Sequence, residues 1–109
     1  MTTRTGIIYC IKSLLENTCY FGSTTKKYAS ERISQHRYDY KNRDVRFNSS
    51  SFEVVCDPQA KIEILERFEF QDIKQLRNRE GQVLRQYMAD DEFGFRIVNK
   101  RLPKLLNES

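Results

Sequence analysis

The pattern of hydrophobic and polar positions predicts two short strands at the start of the chain. Residues 6–11 and 19–22 are runs of β-branched, apolar and aromatic side chains, a composition typical of strands. The segment between them contains no Asn-Gly or Asp-Gly pair. We therefore expect the two strands to form a hairpin with a loop of about five residues rather than a tight turn.

A helical period follows the hairpin. Four side chains recur at steps of four, three and four residues, which places them on one face of a helix. This spacing predicts a helix over 27–41 with that face against the rest of the protein. The four side chains are Ala29, Ile33, His36 and Tyr40.

One strand and one long helix are predicted in the second half of the chain. Polar residues predict a loop over 42–51, and the four residues 52–55 fit a helical turn and a short strand equally well. Near-alternation of apolar and polar residues over 61–70 predicts a third strand. Asp72 is a favourable N-cap, and the apolar stripe after it predicts a helix over 72–89.

The order of these elements indicates an α+β fold, with a small three-stranded antiparallel sheet flanked by helices. The chain has 109 residues and a mass of 13.0 kDa, which is the size of one domain. We therefore expect a single domain over 1–109, with its core at about 5–103.

Composition excludes several classes of protein. Hydrophobic residues make up 39% of the chain, aromatic residues 12% and charged residues 31%, which fits a folded domain without a membrane span. The apolar run near the N-terminus is too short for a secretion signal. We expect an intracellular protein whose three cysteines, which lack metal-ligand spacing, are free thiols.

Positive charge is concentrated in one stretch of the sequence. Residues 25–46 contain seven Lys or Arg against three Asp or Glu, a net charge of +4 that equals the net charge of the whole chain. A local basic surface suggests a polyanion partner, most often nucleic acid. The alternative is a solvated helix face with no ligand.

A carboxylate interrupts the apolar stripe of the second predicted helix. Glu80 stands seven residues after Ile73, in the middle of that stripe. A buried carboxylate is expensive unless it pairs with a cation or a metal ion. Glu80 either pairs with Arg77 or Arg79, lies at the edge of the stripe, or is a ligand of a hard metal ion such as Mg²⁺.

Two further pairs of residues combine reactive groups with apolar surroundings. Arg32 and His36 are four residues apart, so they share one helix face. An Arg beside a core commonly binds an anion, whereas a lone His there is usually a satisfied core residue. Tyr9 and Tyr20 lie on the two facing strands, either as packing residues or as two hydroxyl groups directed into one pocket.

Taken together, these residues resemble the GIY-YIG nuclease domain. The resemblance extends over nearly the whole chain, and the Gly-Ser-Thr and Arg-Glu-Gly runs are similar to those of viral and mobile-element members. In this sequence the first half-motif is Gly6-Ile7-Ile8-Tyr9 and the second is Tyr20-Phe21-Gly22. The Arg-xxx-His pair is Arg32 and His36, and the later Glu is Glu80.

The sequence departs from the family pattern in its details. One extra residue separates Gly6 from the Ile-Tyr pair, and Phe21 replaces the usual Ile. Gly22 ends the second half-motif. Asn99 stands near the place of an Asn that follows the catalytic helix in many members, and the resemblance implies a supporting role for both Gly22 and Asn99.

The resemblance implies an endonuclease, a hydrolase that cleaves DNA phosphodiester bonds in one step with one Mg²⁺ or Mn²⁺ ion per active site. Glu80 would hold the metal ion, Arg32 would stabilise charge on the scissile phosphate, and Tyr9 would take the proton of the attacking water. His36 would assist this proton transfer, and Tyr20 would orient the water or the phosphate.

DNA is the partner that the resemblance implies, and no membrane partner is expected. One active site cuts one strand, so double-strand cleavage requires a homodimer or two sequential nicks, and a separate targeting protein could supply specificity. Basic residues would bind the flanking phosphates without reading sequence. The residues with this expected role are Lys26, Lys27, Arg37, Lys41, Arg43 and Arg46.

Three other classes of protein compete with this interpretation. A non-catalytic nucleic-acid-binding module of the same fold would have lost Tyr9, Arg32 or Glu80, and all three are present. A small interaction protein would use the basic helix to bind an acidic partner. A zinc hydrolase is disfavoured because the chain has one His, and its cysteines lack ligand spacing.

Overall fold

The computed structural model describes residues 3–43 and 50–99, and within these ranges the chain forms four strands and three helices. The predicted α+β class is confirmed. In chain order the elements are β1 (Arg4–Ser13), β2 (Thr18–Thr24), α1 (Ala29–Lys41), α2 (Phe52–Val55), β3 (Lys61–Phe70), α3 (Ile73–Met88) and β4 (Arg96–Ile97).

The sheet has the strand order β3-β1-β2-β4. Strand β1 pairs antiparallel with β2, as the predicted hairpin requires, and also antiparallel with β3. Strand β4 pairs parallel with β2 at Thr18 and Cys19. The prediction of a three-stranded antiparallel sheet is therefore wrong, because the sheet is mixed and has a fourth strand. A strand of two residues has no alternation that a sequence pattern can reveal, and distant backbone groups hold it in place.

The element boundaries follow local hydrogen-bond chemistry. Helix α1 begins at Ala29, two residues later than predicted, and the ambiguous segment 52–55 forms a helical turn. Helix α3 begins after Asp72, whose carboxylate accepts a hydrogen bond from the backbone N–H of Lys74. The side chain of Gln75 accepts one from the backbone N–H of Asp72, which completes a capping box.

Helices cover both faces of the sheet. On one face, the Tyr9 side of β1 packs against Ile33 of α1 and against α2. On the other face, Ile8 packs against Leu76 and other residues of α3. Alternate residues of β1 therefore lie in two separate hydrophobic cores, one on each side of the sheet.

Helix α3 lies very close to the sheet at Gly6. A Cβ atom added there would lie 2.6 Å from a methyl group of Leu76, so the missing side chain permits this approach. Gly6 thus has a packing role on the face opposite to Tyr9. Among the described helices, none is both long and apolar enough to cross a membrane.

Candidate active site

Two predicted site residues, Arg32 and His36, contact the hydroxyl group of a third, Tyr9. Tyr9 lies in the middle of β1 and is fully buried. The Nε–H of Arg32 donates a hydrogen bond to the Tyr9 hydroxyl at 3.1 Å, and Nε2 of His36 lies 2.9 Å from the same hydroxyl. The four-residue spacing of Arg32 and His36 places them on one face of α1, and that face directs both side chains at one strand residue.

Gly22 provides the space in which the Tyr9 side chain lies. The two residues are directly opposite each other in the β1–β2 register. A Cβ atom on Gly22 would lie 2.5 Å from the Tyr9 hydroxyl oxygen and 2.6 Å from the adjacent ring carbon. The supporting role expected for Gly22 is thus a steric one, since only glycine leaves room for the phenol.

His36 is a buried, hydrogen-bonded and neutral side chain. Its ring lies edge-on to Tyr9 and Tyr20, with centroid distances of 6.1 Å and 5.5 Å. Burial, with a smaller contribution from Arg32, lowers the pKa of His36 to about 4, although Asp39 opposes the change. The imidazole is therefore neutral at pH 7, and its Nδ1 lies 3.0 Å from Oγ of Ser51.

One assignment of hydrogens satisfies this network. Arg32 can only donate, so the Tyr9 oxygen accepts from it and the phenolic hydrogen is available for Nε2 of His36. A neutral imidazole that accepts at Nε2 carries its hydrogen on Nδ1, which then donates to Ser51. The sequence did not predict Ser51, because a loop serine has no pattern that reveals a distant partner.

The two site tyrosines are held as neutral phenols. Burial raises the pKa of Tyr9 strongly, and Tyr20 and Glu80 raise it further, although Arg32 opposes the change. Burial also raises the pKa of the half-buried Tyr20, again with a contribution from Glu80. A phenolate at Tyr9 is therefore unfavourable, so any proton that Tyr9 accepts must be matched by one that it releases.

Glu80 approaches strand β2 from the face of the sheet that α3 covers. It lies half-buried on α3, and its carboxylate accepts a hydrogen bond from the hydroxyl of Ser23 in β2. Burial raises the pKa of Glu80, while Ser23, Arg77 and Arg32 oppose the rise. The Gly-Ser-Thr run pointed to this segment, but the sequence did not identify Ser23 as a partner of Glu80.

Glu80 is not neutralised by the arginine beside it. Arg79 forms a two-pronged ion pair with Glu66 of β3, at 2.7 Å and 2.8 Å, so the predicted alternative that Arg79 pairs with Glu80 is wrong. In the described part of the chain, no Lys or Arg nitrogen lies within 4.0 Å of the Glu80 carboxylate. Arg77 acts on Glu80 only through longer-range attraction.

Neighbouring residues of β2 contact the two halves of the site from opposite faces of the sheet. Tyr20 packs on the α1 face of the strand, whereas Phe21 packs on the α3 face, and Ser23 follows Phe21 on that second face. No described strand pairs with the outer edge of residues 22–24. Glu80 lies near enough to Tyr9 and Tyr20 to raise the pKa of both.

Asn99 supports β2 and does not reach the Tyr9 network. Its side-chain oxygen accepts a hydrogen bond from the backbone N–H of Phe21 at 2.9 Å, and its amide nitrogen donates to the carbonyl of Phe21 at 2.8 Å. The side chain thus continues the pairing that β4 begins. In the structure, Asn99 therefore has the role of holding β2 in position.

The predicted phosphate-binding residues divide into two groups. Lys26 and Lys27 are exposed in the connection between β2 and α1, beside the site. Arg37 and Lys41 lie on a face of α1 turned by roughly 140–180° from Arg32, so the structure does not bring them to the site.

Two of the six predicted phosphate-binding side chains, Arg37 and Arg43, contact other parts of the protein. Arg37 donates a hydrogen bond to the carbonyl of Ala60 at 2.6 Å, which ties α1 to the start of β3. Arg43 stacks on the ring of Tyr40, with 4.0 Å between the guanidinium and the ring centroid. Arg46 lies outside the described residues.

The groups around Glu80 fit a magnesium site better than a zinc site. No cluster of three His, Cys, Asp or Glu occurs among the residues that the structure describes, and a protein zinc site requires at least three such ligands. Mg²⁺ keeps several waters and is commonly bound by one or two carboxylates together with substrate phosphates. Glu80 would be the one protein carboxylate of such a site.

No protein-family model, no curated protein and no solved structure matches this chain. The geometry of Tyr9, Arg32, His36 and Glu80 is the basis of the functional proposal that follows.

Proposed function

We propose that this protein is a GIY-YIG-type endonuclease that hydrolyses DNA phosphodiester bonds with Mg²⁺ or Mn²⁺. One observation carries the proposal: Arg32 and His36 converge on the Tyr9 hydroxyl, and Glu80 approaches the same end of β2 from the other side of the sheet. An anion-binding guanidinium, a proton acceptor and an uncompensated carboxylate are the groups that metal-assisted phosphodiester hydrolysis requires.

Proton transfer would proceed through Tyr9 to His36. The Tyr9 oxygen would accept a proton from the attacking water while its own proton passes to Nε2 of His36, 2.9 Å away. Tyr9 is a phenol before and after this exchange, so the raised pKa of Tyr9 does not prevent it. Because His36 is neutral at pH 7, its Nε2 is free to accept the proton.

Arg32 would control the access of water to Tyr9. The Tyr9 hydroxyl is fully buried, and the guanidinium of Arg32 is bonded to it. A phosphate attracts a guanidinium more strongly than a neutral phenol does. Substrate binding would therefore draw Arg32 away from Tyr9, neutralise the scissile phosphate and open the hydroxyl to water.

Glu80 would hold the divalent metal ion, and Tyr20 would orient the water or the phosphate. When bound, such an ion polarises a phosphate oxygen and stabilises the leaving 3′-oxygen. Ser23, which donates a hydrogen bond to Glu80, would fix the orientation of the carboxylate.

The test is cleavage of supercoiled plasmid with Mg²⁺ or Mn²⁺, with and without chelator. We expect nicking by the wild type that stops with chelator, and a loss of at least about 100-fold in Tyr9→Phe, because proton transfer and charge stabilisation contribute on that scale. Glu80→Gln should lose cleavage to a similar extent. Glu63→Gln is the matched control, since Glu63 is an exposed carboxylate of β3, and it should retain cleavage.

The complete burial of Tyr9 favours a second candidate, a non-catalytic nucleic-acid-binding module of the same fold. Such a module would bind DNA at the same edge and leave plasmid, branched and single-stranded DNA intact with every divalent metal. Binding without cleavage in the experiment above would contradict the endonuclease proposal and support this module.

A further inference from the structure

Tyr28 is a large aromatic side chain that the fold leaves in solvent beside the site. It is 56% exposed and immediately follows Lys26 and Lys27. Arg32 follows one helical turn later, about 6 Å along the axis of α1. The ammonium group of Lys27 lies 5.5 Å from the centroid of the Tyr28 ring, so a positive charge and an aromatic face are presented together.

The fold provides no structural reason for an aromatic residue at this position. Tyr28 is the N-cap of α1, and its side chain makes no capping hydrogen bond. Asn, Asp or Ser would cap the helix better, as Asp72 does for α3. Tyr28 also belongs to none of the hydrophobic clusters formed by the described residues.

We propose that Tyr28 binds an unpaired DNA base next to the scissile phosphate by stacking on its face. The bases of a duplex are covered by their neighbours, so only an unpaired or extruded base can offer a face to Tyr28. Lys27 would bind the adjacent phosphate while Arg32 holds the scissile one. The site would therefore favour DNA that carries unpaired nucleotides at the cleavage position, such as a single strand or a branch, over a fully paired duplex.

This proposal rests on the proposed function for its reference to a scissile phosphate, but the stacking itself is independent of catalysis. Binding can be measured in chelator, where no cleavage takes place. The probes are a fluorescently labelled single-stranded oligonucleotide and a fully paired duplex that contains the same strand. Fluorescence anisotropy gives the Kd of each variant for each probe.

Three variants separate stacking from helix stability. Tyr28→Phe keeps the aromatic ring, whereas Tyr28→Asn removes the ring and supplies a better N-cap. Tyr38→Asn is the matched control, because Tyr38 is a similarly exposed tyrosine, at 64%, on a different face of α1. Thermal unfolding of Tyr28→Asn should give a Tm at or above that of the wild type, which excludes misfolding.

We expect Tyr28→Asn to weaken binding of the single strand about 5- to 150-fold, the range measured for loss of one base–aromatic stack. Tyr28→Phe and Tyr38→Asn should bind it as the wild type does, and duplex binding should hardly change. An equal loss on both probes, or no loss on the single strand, would overturn the proposal. A protein that shows this discrimination but cleaves no DNA would contradict only the endonuclease function.

Discussion

At the scale of single residues, burial acts in opposite directions on the two partners of one hydrogen bond. It raises the pKa of Tyr9, an acid, and lowers the pKa of His36, a base, so both groups are kept neutral. Before any proton transfer, the pair of a neutral phenol and a neutral imidazole therefore holds no buried charge. Burial, which at first argues against catalysis, thus sets the protonation states that the proposed proton transfer requires.

The lowered pKa of His36 predicts how stability depends on pH. The unfolded His has a pKa near 6.5 and the folded one a pKa of about 4, so between these values the unfolded state binds the proton and the folded state does not. The contribution to stability is complete above about pH 6.5 and is lost as the pH falls. Between pH 7 and pH 5 we expect a loss of about 2 kcal/mol.

Urea unfolding of the wild type and of His36→Gln at pH 7 and pH 5 measures this contribution. The variant should lose less stability than the wild type over the same interval. Glu80 acts in the opposite sense, because its raised pKa makes the folded state bind a proton more readily, but it is present in both proteins. Parallel losses in the two proteins would show that His36 does not titrate in this way.

The residue chemistry could be predicted in part from the sequence. Arg32, His36 and Glu80 stood out because a charged or basic group on an apolar helix face needs a partner, and helical spacing identifies that face. Ser23 and Ser51 could not be found in this way. Their hydrogen bonds join residues far apart in the chain, and a serine in a strand or a loop breaks no local pattern.

At the scale of elements, two glycines set how closely the layers of the fold approach. Gly6 admits Leu76 of α3 on one face of β1, and Gly22 of β2 admits the Tyr9 ring on the other. Both glycines are buried in the same sheet. They are a matched pair, because a methyl group at either position meets atoms at 2.5–2.6 Å, yet only one position adjoins the proposed site.

We expect Gly6→Ala and Gly22→Ala each to lower stability by about 1–3 kcal/mol, the usual cost of overpacking. Only Gly22→Ala should abolish cleavage, with a loss of about 100-fold, because it shifts the Tyr9 hydroxyl from Arg32 and His36. Thermal unfolding and plasmid cleavage of both variants check this. Equal loss of cleavage in both would show that activity follows overall stability rather than the position of Tyr9.

Element prediction failed where the signal was short or non-local. The strand over 61–70 and the helix after Asp72 were predicted correctly because the apolar pattern of each extends over many residues. The helix also has a capping residue at its start. Strand β4 has two residues, and a side chain, Asn99, extends its pairing with β2. No single-sequence pattern encodes a side chain that substitutes for backbone pairing.

At the scale of the whole molecule, the order of strands separates opposite charges. Strand β3 carries all three acidic residues of the described strands and lies on the far side of β1 from β2. Lys26 and Lys27 project from the connection that follows β2. A polyanion would therefore meet positive charge at the open end of β2 and avoid the acidic edge of the sheet.

This arrangement predicts which lysines govern the salt dependence of duplex binding. Lys26→Ala combined with Lys27→Ala should flatten the slope of log K against log salt by about 2, since each lost phosphate contact contributes about 0.9. Lys61→Ala combined with Lys74→Ala removes the same charge from exposed positions at the starts of β3 and α3, and should leave the slope unchanged. Anisotropy titrations in chelator over a series of salt concentrations give both slopes. If the two double variants flatten the slope equally, binding depends on net charge alone, and the open end of β2 is not the DNA surface.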